Sequence, residues 1–272
     1  MIFFRAISFF SLSFLFSFNI SFSQGLSDEP FNIDTDKEII ISGTGAVIGA
    51  AAIIAMTNND QLTLTEISLL NPLDVNKFDR IAIGPYKSDV LGDALFYSSF
   101  MFPLTFLAYD KTKEDFGTVA LMYGEAVLIN ASLNALVKAL TLRDRPFVYD
   151  ANSLLEPKLD VDARYSFYSG HTSMTAVNTF YTAKVYSAYL SNETTKTLIW
   201  TAAALIPAIT GFSRVNTHNH FPTDVIVGYI VGAAIGYLVP EIHKTENNNA
   251  SSSSTIPEEF IHRPIFGFQI NF

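Results

Sequence analysis

The stretch SRVNTHNHFPTDVIVG, residues 213–228, places two histidines and a carboxylate directly before an apolar run. His220 and Asp224 are four residues apart, and the helical pattern is predicted to begin near Pro222. A carboxylate one helical turn from a histidine can accept a ring N–H and fix the tautomer, which leaves the other ring nitrogen free as a nucleophile. The stretch therefore predicts a reactive histidine at the start of a helix.

The same stretch also has to be considered as a metal site. His218 and His220 form a His-x-His pair, but a metal ion would want further histidine or acidic ligands, and Asp224 is the obvious one nearby. The chain has no cysteine, which excludes thiolate ligands, disulfides and thiol catalysis. A metal site therefore stays the minor alternative, and the preferred interpretation is a site with no metal and no cofactor.

Upstream, the stretch KALTLRDRPF, residues 138–147, gathers bases before a helix-breaking proline. Lys138 and Arg145 are seven residues apart, about two helical turns, and are expected to share one face of a helix that Pro146 ends. Cations at a helix C-terminus also interact favourably with the helix dipole, so this stretch alone has a purely structural explanation.

Between these two stretches lies FYSGHTS, residues 167–173. Ser169 and Gly170 precede a predicted helix, whose first turn would hold His171 and expose free backbone N–H groups. Such N–H groups bind anions, although a capping serine beside a surface histidine is the ordinary interpretation of the stretch by itself.

In order and spacing, the three stretches together resemble the signature of the type 2 phosphatidic acid phosphatase and vanadium haloperoxidase superfamily. That signature has a lysine, six residues and Arg-Pro, then Ser-Gly-His, then Ser-Arg, five residues, a histidine, three residues and an aspartate. One departure is Tyr168, where family members usually have proline. The matching positions are Lys138, Arg145-Pro146, Ser169-Gly170-His171, Ser213-Arg214, His220 and Asp224.

The resemblance implies a metal-independent phosphatase that works through a phosphohistidine. His220 would attack phosphorus, Asp224 would support its ring, and His171 would protonate the leaving oxygen and then assist water. Fixed positive groups aimed at the developing charge are the main catalytic device in phosphoryl transfer. Arg143, Asp144 and His218 have no assigned role. The groups implied to hold the phosphate are Lys138, Arg145, Ser169, Gly170 and Arg214.

Composition favours a helical protein at a membrane. Hydrophobic residues make up 49% of the chain, which suits a membrane-associated bundle, and the net charge of -9 argues against nucleic acid as a partner. The resemblance implies an all-α, six-helix bundle, membrane-embedded or membrane-associated. Helices are predicted at residues 39–56, 91–109, 116–141, 170–190, 197–212 and 223–240.

The two ends of the chain differ from its middle. Residues 1–23 have the pattern of a cleaved secretory signal, with an uncleaved anchor helix as the alternative, and 24–38 form a polar mature N-terminal segment. The helical domain is predicted over 39–244. Residues 245–272 are interpreted as a flexible linker and tail, and the alternating end PIFGFQINF as a short packing segment rather than an outer-membrane strand.

We therefore expect a membrane protein of the cell envelope whose active site faces the periplasm. Topology conflicts with this expectation. A cleaved signal would place residue 24 outside, and three spans before residue 142 would place the 142–168 loop inside. One of those helices would then not span, or the whole bundle would be peripheral.

The leading functional hypothesis is an envelope lipid-phosphate phosphatase. Its substrate would be a phosphorylated lipid or another phosphomonoester, with phosphatidic acid, phosphatidylglycerol phosphate, polyprenyl diphosphate and phosphorylated lipid A as head-group candidates. The alternatives are a soluble periplasmic nonspecific acid phosphatase, a vanadium-dependent haloperoxidase, and a non-enzymatic envelope scaffold. The sequence chooses neither the substrate nor the oligomeric state.

Overall fold

The structure is a computed structural model that describes residues 29–245. The predicted signal peptide and nearly all of the predicted C-terminal tail lie outside the described residues. Six long helical segments form the described part: α1 (Thr35–Thr57), α2 (Val90–Ala108), α3 (Phe116–Thr141), α4 (Gly170–Tyr189), α5 (Glu193–Asn216) and α6 (Pro222–Ile242).

The segment α2 is built from three consecutive pieces, and shorter turns fill the long connections. It consists of the helix Val90–Ser99, a short helix Met101–Leu104 and a 3₁₀ turn Thr105–Ala108. The remaining short helices are Leu64–Leu69, Asp110–Glu114 and Leu155–Lys158, and the remaining 3₁₀ turns are Pro72–Asp74, Asp79–Ala82, Pro146–Tyr149 and Val161–Arg164.

Four of the six long segments begin with a side-chain cap, at Asp34, Asp89, Ser169 and Asn192. Asp34 accepts a hydrogen bond from the backbone N of Asp36 at 3.0 Å, and Asp89 accepts one from Gly92 N at 2.9 Å. Such caps satisfy N–H groups that have no partner within the helix. The same role is played at α4 and α5 by Ser169 and Asn192.

α3 spans the predicted residues 116–141 but does not continue to Pro146, where the spacing of Lys138 and Arg145 placed its end. The helix ends at Thr141, because Leu142 adopts a left-handed conformation with φ of 44° and its N–H closes the last turn on Lys138 O. Pro146 instead begins a 3₁₀ turn. The prediction that Lys138 and Arg145 share a helix face was therefore wrong, since Arg145 lies beyond the helix and is positioned by the chain that follows it.

The central helix α4 packs along both α5 and α6 and also contacts α2 and α3. Glycines on α6 let the two backbones touch: an added Cβ would lie 2.6 Å from Ser169 O at Gly228 and 2.7 Å from Val177 O at Gly236, and Gly232 meets Ser173 O still more closely. Stripes of small residues are typical of helix contacts in membranes. The starts of α4 and α6 are thereby held side by side.

Five of the six segments, all except α4, are long and apolar enough to cross a membrane. Their outward faces carry large apolar side chains, such as Val47 and Ile40, which are 72% and 67% exposed. Such a surface suits hydrocarbon rather than water. The expected all-α, membrane-embedded six-helix bundle is confirmed, although α1 begins at Thr35, before the predicted domain start at 39.

The helices alternate in direction, so the bundle has two distinct ends. Ser169 N donates to Asp224 O at 3.0 Å, which joins the starts of α4 and α6. Asn59 Nδ2 donates to Ala139 O at 3.0 Å, which joins the ends of α1 and α3. We call the end where α1, α3 and α5 finish and α4 and α6 begin the motif end. At the other end, here the opposite end, Asn32 N donates to His243 O.

Candidate active site

All eight residues predicted for the site lie at the motif end. His220 sits in the short connection before α6 and is almost fully buried, with 1% of its surface exposed. Its Nδ1 is 2.8 Å from Ser166 O, and its Nε2 is 3.2 Å from Nη1 of Arg145. A carbonyl only accepts hydrogen bonds, so Nδ1 carries the proton and Nε2 presents its lone pair to the guanidinium.

The surroundings of His220 disfavour a second proton on its ring. Burial, followed by the positive charges of Arg145, Arg214 and Lys138, holds the pKa of His220 well below its ordinary value. The ring is therefore neutral at pH 7, and its free nitrogen is available as a nucleophile.

Asp224 is fully buried but does not accept the ring N–H of His220. Its Oδ2 is 3.7 Å from Nδ1 and accepts hydrogen bonds from Ser166 Oγ and from Phe221 N at 2.9 Å. The expectation of a direct hydrogen bond was wrong, because Ser166 stands between the two: its carbonyl takes the ring proton while its hydroxyl is held by the carboxylate. Asp224 is thus linked to His220 through the hydrogen bonds of Ser166.

Arg143, which had no predicted role, ties this carboxylate to a second one. Its guanidinium pairs with Asp224 and with Asp79, whose Oδ2 is 2.7 Å away, and it stacks over the ring of Phe221. Burial raises the pKa of Asp79, but hydrogen bonds from Thr223, Arg143 and Asn76 outweigh it and hold the pKa below its ordinary value. The network fixes the start of α6.

The other two residues without a role stay peripheral. His218 has a left-handed backbone, with φ of 62°, and its Nδ1 lies 2.9 Å from Ala82 O. Asp144 lies 3.8 Å from Nε of Arg164. Neither side chain is directed at His220 in these contacts.

Arg145 is held on one side so that its other side can meet the nucleophile. Its Nε and Nη2 donate to the backbone and side chain of Asp162, at 2.9 and 2.7 Å, and Nη1 also donates to Asn219 O. A guanidinium that is already fixed in this way loses little further conformational entropy when it binds an anion. Its fixed position beside His220 Nε2 suits a group that binds phosphate.

Lys138 reaches the start of α4. A Cβ added to Gly170 would lie 3.6 Å from Lys138 Nζ and 2.9 Å from Asn134 Oδ1, so a larger residue at this position would displace the Asn134 side chain. Asn134 also donates to Tyr168 O at 2.8 Å, which fixes the loop against α3. Within residues 29–245, Lys138 Nζ makes no hydrogen bond or ion pair and so keeps its donors for a ligand.

His171 lies in the first turn of α4 against α2. Its Nε2 is 3.1 Å from Oδ1 of Asp93, and its ring packs on Phe96 with 4.5 Å between centroids. Burial, with the positive charges of Arg214 and Lys138, holds the pKa of His171 below its ordinary value, while the Asp93 carboxylate opposes that shift and fixes the orientation of the ring. This arrangement suits a proton donor rather than a second nucleophile.

Arg214 is paired with two carboxylates, Asp93 in α2 and Asp89 directly before α2. Its Nη1 is 3.3 Å from Asp89 Oδ2 and 3.4 Å from Asp93 Oδ1, while Asp89 also accepts from Ser213 Oγ. Asp93 therefore contacts both a predicted phosphate-binding arginine and the predicted acid. The charged groups are mutually supported before any substrate arrives.

Sequence reasoning missed the groups that support the predicted ones. The sequence did contain a signal for the carboxylates. Three positive side chains were predicted at one buried site, Lys138, Arg145 and Arg214, and buried positive charges require anions to balance them. Ser166 had no such signal, since it acts partly through its backbone. The missed residues are Asp79, Asp89, Asp93, Asp162 and Ser166.

One family model agrees with the motifs. The family model described as PAP2 superfamily matches residues 119–248, from the first turn of α3 to just beyond α6. A solved structure titled "Crystal structure of the first transmembrane PAP2 type phosphatidylglycerolphosphate phosphatase from Bacillus subtilis" aligns with 21% identity and a TM-score of 0.41. The alignment covers 76% of this chain and 92% of that one.

Proposed function

Because the chain belongs to the PAP2 superfamily, we propose that it is a metal-independent phosphatase that removes phosphate from a membrane lipid through a phosphohistidine at His220. The observation that carries the proposal is Nε2 of His220, which is buried, unprotonated and 3.2 Å from the Arg145 guanidinium. A nucleophilic lone pair surrounded by cations suits attack on a phosphoryl group.

In the first step, Nε2 of His220 forms a bond to phosphorus and the bond from phosphorus to the leaving oxygen breaks. His171 gives its proton to that oxygen, so the alcohol or phosphate leaves protonated. Lys138, Arg145 and Arg214 bind the equatorial oxygens, where negative charge is spread in the transition state.

In the second step, water attacks phosphorus and the phosphorus–nitrogen bond breaks. His171, now neutral, takes a proton from that water, which restores both histidines and releases phosphate. Attack makes the His220 ring cationic. Asp224, 3.7 Å from Nδ1, compensates this charge while Ser166 O holds the ring proton.

A lipid substrate is favoured by the position of the site. The reacting groups lie at one end of a bundle whose outer face is apolar, so a head group can enter between the helix ends while its acyl chains stay in the bilayer. A soluble acid phosphatase would not need five segments able to cross a membrane.

The nucleophile is tested by trapping the intermediate. Protein in detergent is mixed with phosphatidic acid labelled at phosphorus and quenched in alkali, which preserves phosphohistidine. Wild type and His218→Asn are expected to retain label, and His220→Ala is expected to retain none. Asparagine tolerates the left-handed backbone of position 218, so that variant is a matched control. Label on His220→Ala would defeat the assignment.

Substrate class and metal independence are tested by phosphate release. Phosphatidic acid is compared with glycerol 3-phosphate, which carries the same phosphomonoester without acyl chains. We expect turnover without added divalent ions, unchanged when Mg²⁺ is supplied, and a strong preference for the lipid. Equal rates on the two compounds would favour the soluble-substrate alternative, and a requirement for Mg²⁺ would refute metal independence.

Orientation is testable because the chain contains no cysteine. Lys113→Cys lies between α2 and α3 at the opposite end, and Asn152→Cys lies between α3 and α4 at the motif end. An impermeant thiol reagent applied to intact cells is expected to label one of them and not the other. Label on position 152 means a periplasmic site. Equal labelling of both would contradict the spanning bundle.

A further inference from the structure

Three side chains that the proposed mechanism does not use meet at the opposite end of the bundle. Glu38 lies in the first turns of α1, Glu125 in α3, and His243 directly after α6. His243 Nε2 is 2.9 Å from Glu38 Oε1 and 3.3 Å from Glu125 Oε2. One ligand atom from each residue lies within 4.8 Å of the others, and we call these residues the Glu–Glu–His cluster.

Hydrogen bonds alone do not satisfy this cluster. His243 Nδ1 is 2.7 Å from Val239 O and so carries a proton, which leaves one ring position, Nε2, for both carboxylates. That position is used by Glu38. Glu125 is 2% exposed, and its Oε2 has no hydrogen-bond partner among residues 29–245, nor does Glu38 Oε2. Unpartnered buried carboxylate oxygens are costly, so we expect either a shared proton or a cation between them.

Charge points to a divalent cation as the occupant. A protonated His243 supplies one positive charge against two carboxylates, which leaves a net negative charge buried among helix ends. A divalent ion with neutral His243 balances both carboxylates and contacts all three residues at once.

The geometry fits first-row metal ligation. Bonds of about 2.0–2.2 Å from a metal to nitrogen and oxygen set neighbouring ligand atoms roughly 3.0–3.5 Å apart, close to the separations seen here. The supporting contacts of metal ligands are also present: the other ring nitrogen of His243 donates to a carbonyl, and Ser42 Oγ donates to Glu125 Oε1 at 3.0 Å.

We propose that Glu38, Glu125 and His243 bind one divalent ion of the zinc type, which fastens α1, α3 and α6 together at the end opposite the phosphate site. The role is structural. Glu125 precedes Lys138 by 13 residues in α3, which is about 20 Å along the helix, too far for the ion to touch the substrate. The proposal does not depend on the proposed function.

The test uses full-length protein in detergent, stripped with a chelator and titrated with Zn²⁺ against a chromophoric competitor. We expect one tight equivalent per chain and a rise of the unfolding temperature by about 5 °C or more at saturation. Absence of a tight equivalent in the wild type, with the unfolding temperature unmoved, would overturn the proposal and leave a proton as the occupant.

Variants locate the ion. Glu38→Gln, Glu125→Gln and His243→Gln each remove a ligand and are expected to weaken Zn²⁺ binding by more than about 100-fold, since even supporting residues cost 10- to 100-fold. Glu193→Gln, at an exposed carboxylate of α5, is the matched control and should bind as wild type does. Glu38 is at the edge of the cluster, so its variant tests the site even if the more buried variants fold poorly. Wild-type affinity in Glu38→Gln and His243→Gln would place the ion elsewhere and refute the cluster.

Discussion

His220 and His243 lie at opposite ends of one bundle and are held in the same way. Both rings are buried, and each directs Nδ1 at a backbone carbonyl, Ser166 O at 2.8 Å and Val239 O at 2.7 Å. Their Nε2 atoms meet opposite charges: the Arg145 guanidinium at 3.2 Å for His220, and the Glu38 carboxylate at 2.9 Å for His243.

The difference shows that the surroundings of a histidine decide what it can hold. Nδ1 carries a proton in both places, so the neighbours of Nε2 decide the state of each ring. Among cations, Nε2 of His220 keeps its lone pair and faces the proposed phosphate, whereas Nε2 of His243, beside carboxylates that only accept, either carries a proton or binds the proposed cation. Substitutions at the two ends of the bundle should therefore have separate consequences.

The largest expected effect is on the chemical step. His220→Ala removes the nucleophile and should lower kcat by about 10⁴-fold or more, as loss of a covalent nucleophile does elsewhere. His243→Gln should leave kcat of the folded protein within about threefold, because its ring touches no reacting group. Comparable losses in the two variants, measured by phosphate release with folding checked by size exclusion, would show that the two ends are not separate.

A smaller effect is expected from removing one cation near His220. Lys138→Met should lower kcat/KM by about 10²–10³-fold, the usual cost of one electrostatic contact in the transition state. Lys138 also contributes to the low pKa of His220, after burial, Arg145 and Arg214. Protonation of His220 abolishes attack, so activity falls as pH drops through that pKa.

The acid limb of the wild-type profile of kcat/KM should thus lie well below pH 6.5, and Lys138→Met should move it to higher pH. Lys77→Met, at an exposed lysine of the 58–89 connection, is the control and should leave both the rate and the limb in place. An unchanged limb in Lys138→Met would mean that Lys138 is not electrostatically coupled to His220.

Asp93→Asn should lower kcat by about 10- to 100-fold, part of the usual contribution of a general acid. The loss should be greatest on alkyl phosphates, whose leaving oxygen needs a proton, and small on p-nitrophenyl phosphate, whose leaving group does not. Asp110→Asn, an exposed carboxylate at the opposite end, should change neither rate. An equal loss on both substrates would assign Asp93 to the structure of α2 rather than to positioning His171.

The smallest effect should come from the serine between Asp224 and His220. Ser166→Ala keeps the carbonyl that holds Nδ1 but loses the hydroxyl bonded to Asp224, so a loss of roughly fivefold in kcat is expected from one hydrogen bond. Because both residues act on one ring, Ser166→Ala combined with Asp224→Asn should lose little more than Asp224→Asn alone. Independent, additive losses would mean that Ser166 does not relay the carboxylate; Ser68→Ala, on the surface, is the control.

The predicted residues lie in short sequence motifs, whereas the missed residues lie outside those motifs. His171, His220 and the predicted bases lie in short stretches with fixed spacing, and five of the six helices, all except α4, followed from long apolar runs. Of the supporting carboxylates, Asp79 lies 64 residues before Arg143 and Asp89 lies 125 residues before Arg214, so no local spacing links them to their partners. Asp162 is nearer, 17 residues after Arg145, but it belongs to none of the three stretches. The predicted span 116–141 matches α3, but the turn that separates Arg145 from the helix was missed, because leucine carries no signal for the left-handed conformation of residue 142.

One residue of the Glu–Glu–His cluster could have been singled out from the sequence. Glu125 lies within an otherwise apolar helix, and an ionisable residue at that position needs a partner. The partners are 87 residues before it and 118 residues after it, so no local pattern could name them.

The polar interior of α4 has a consequence for how the protein is made. Threonines, serines and Asn178 line its buried length, and α4 is not among the described segments apolar enough to enter lipid unaided. Insertion machinery sorts each segment as it leaves the ribosome, so α4 must wait in a protected, partly aqueous setting until α5 and the glycine face of α6 emerge. His220, the proposed nucleophile, and α6, the packing partner of α4, would then be added at the same late stage of synthesis, because they are adjacent in the chain.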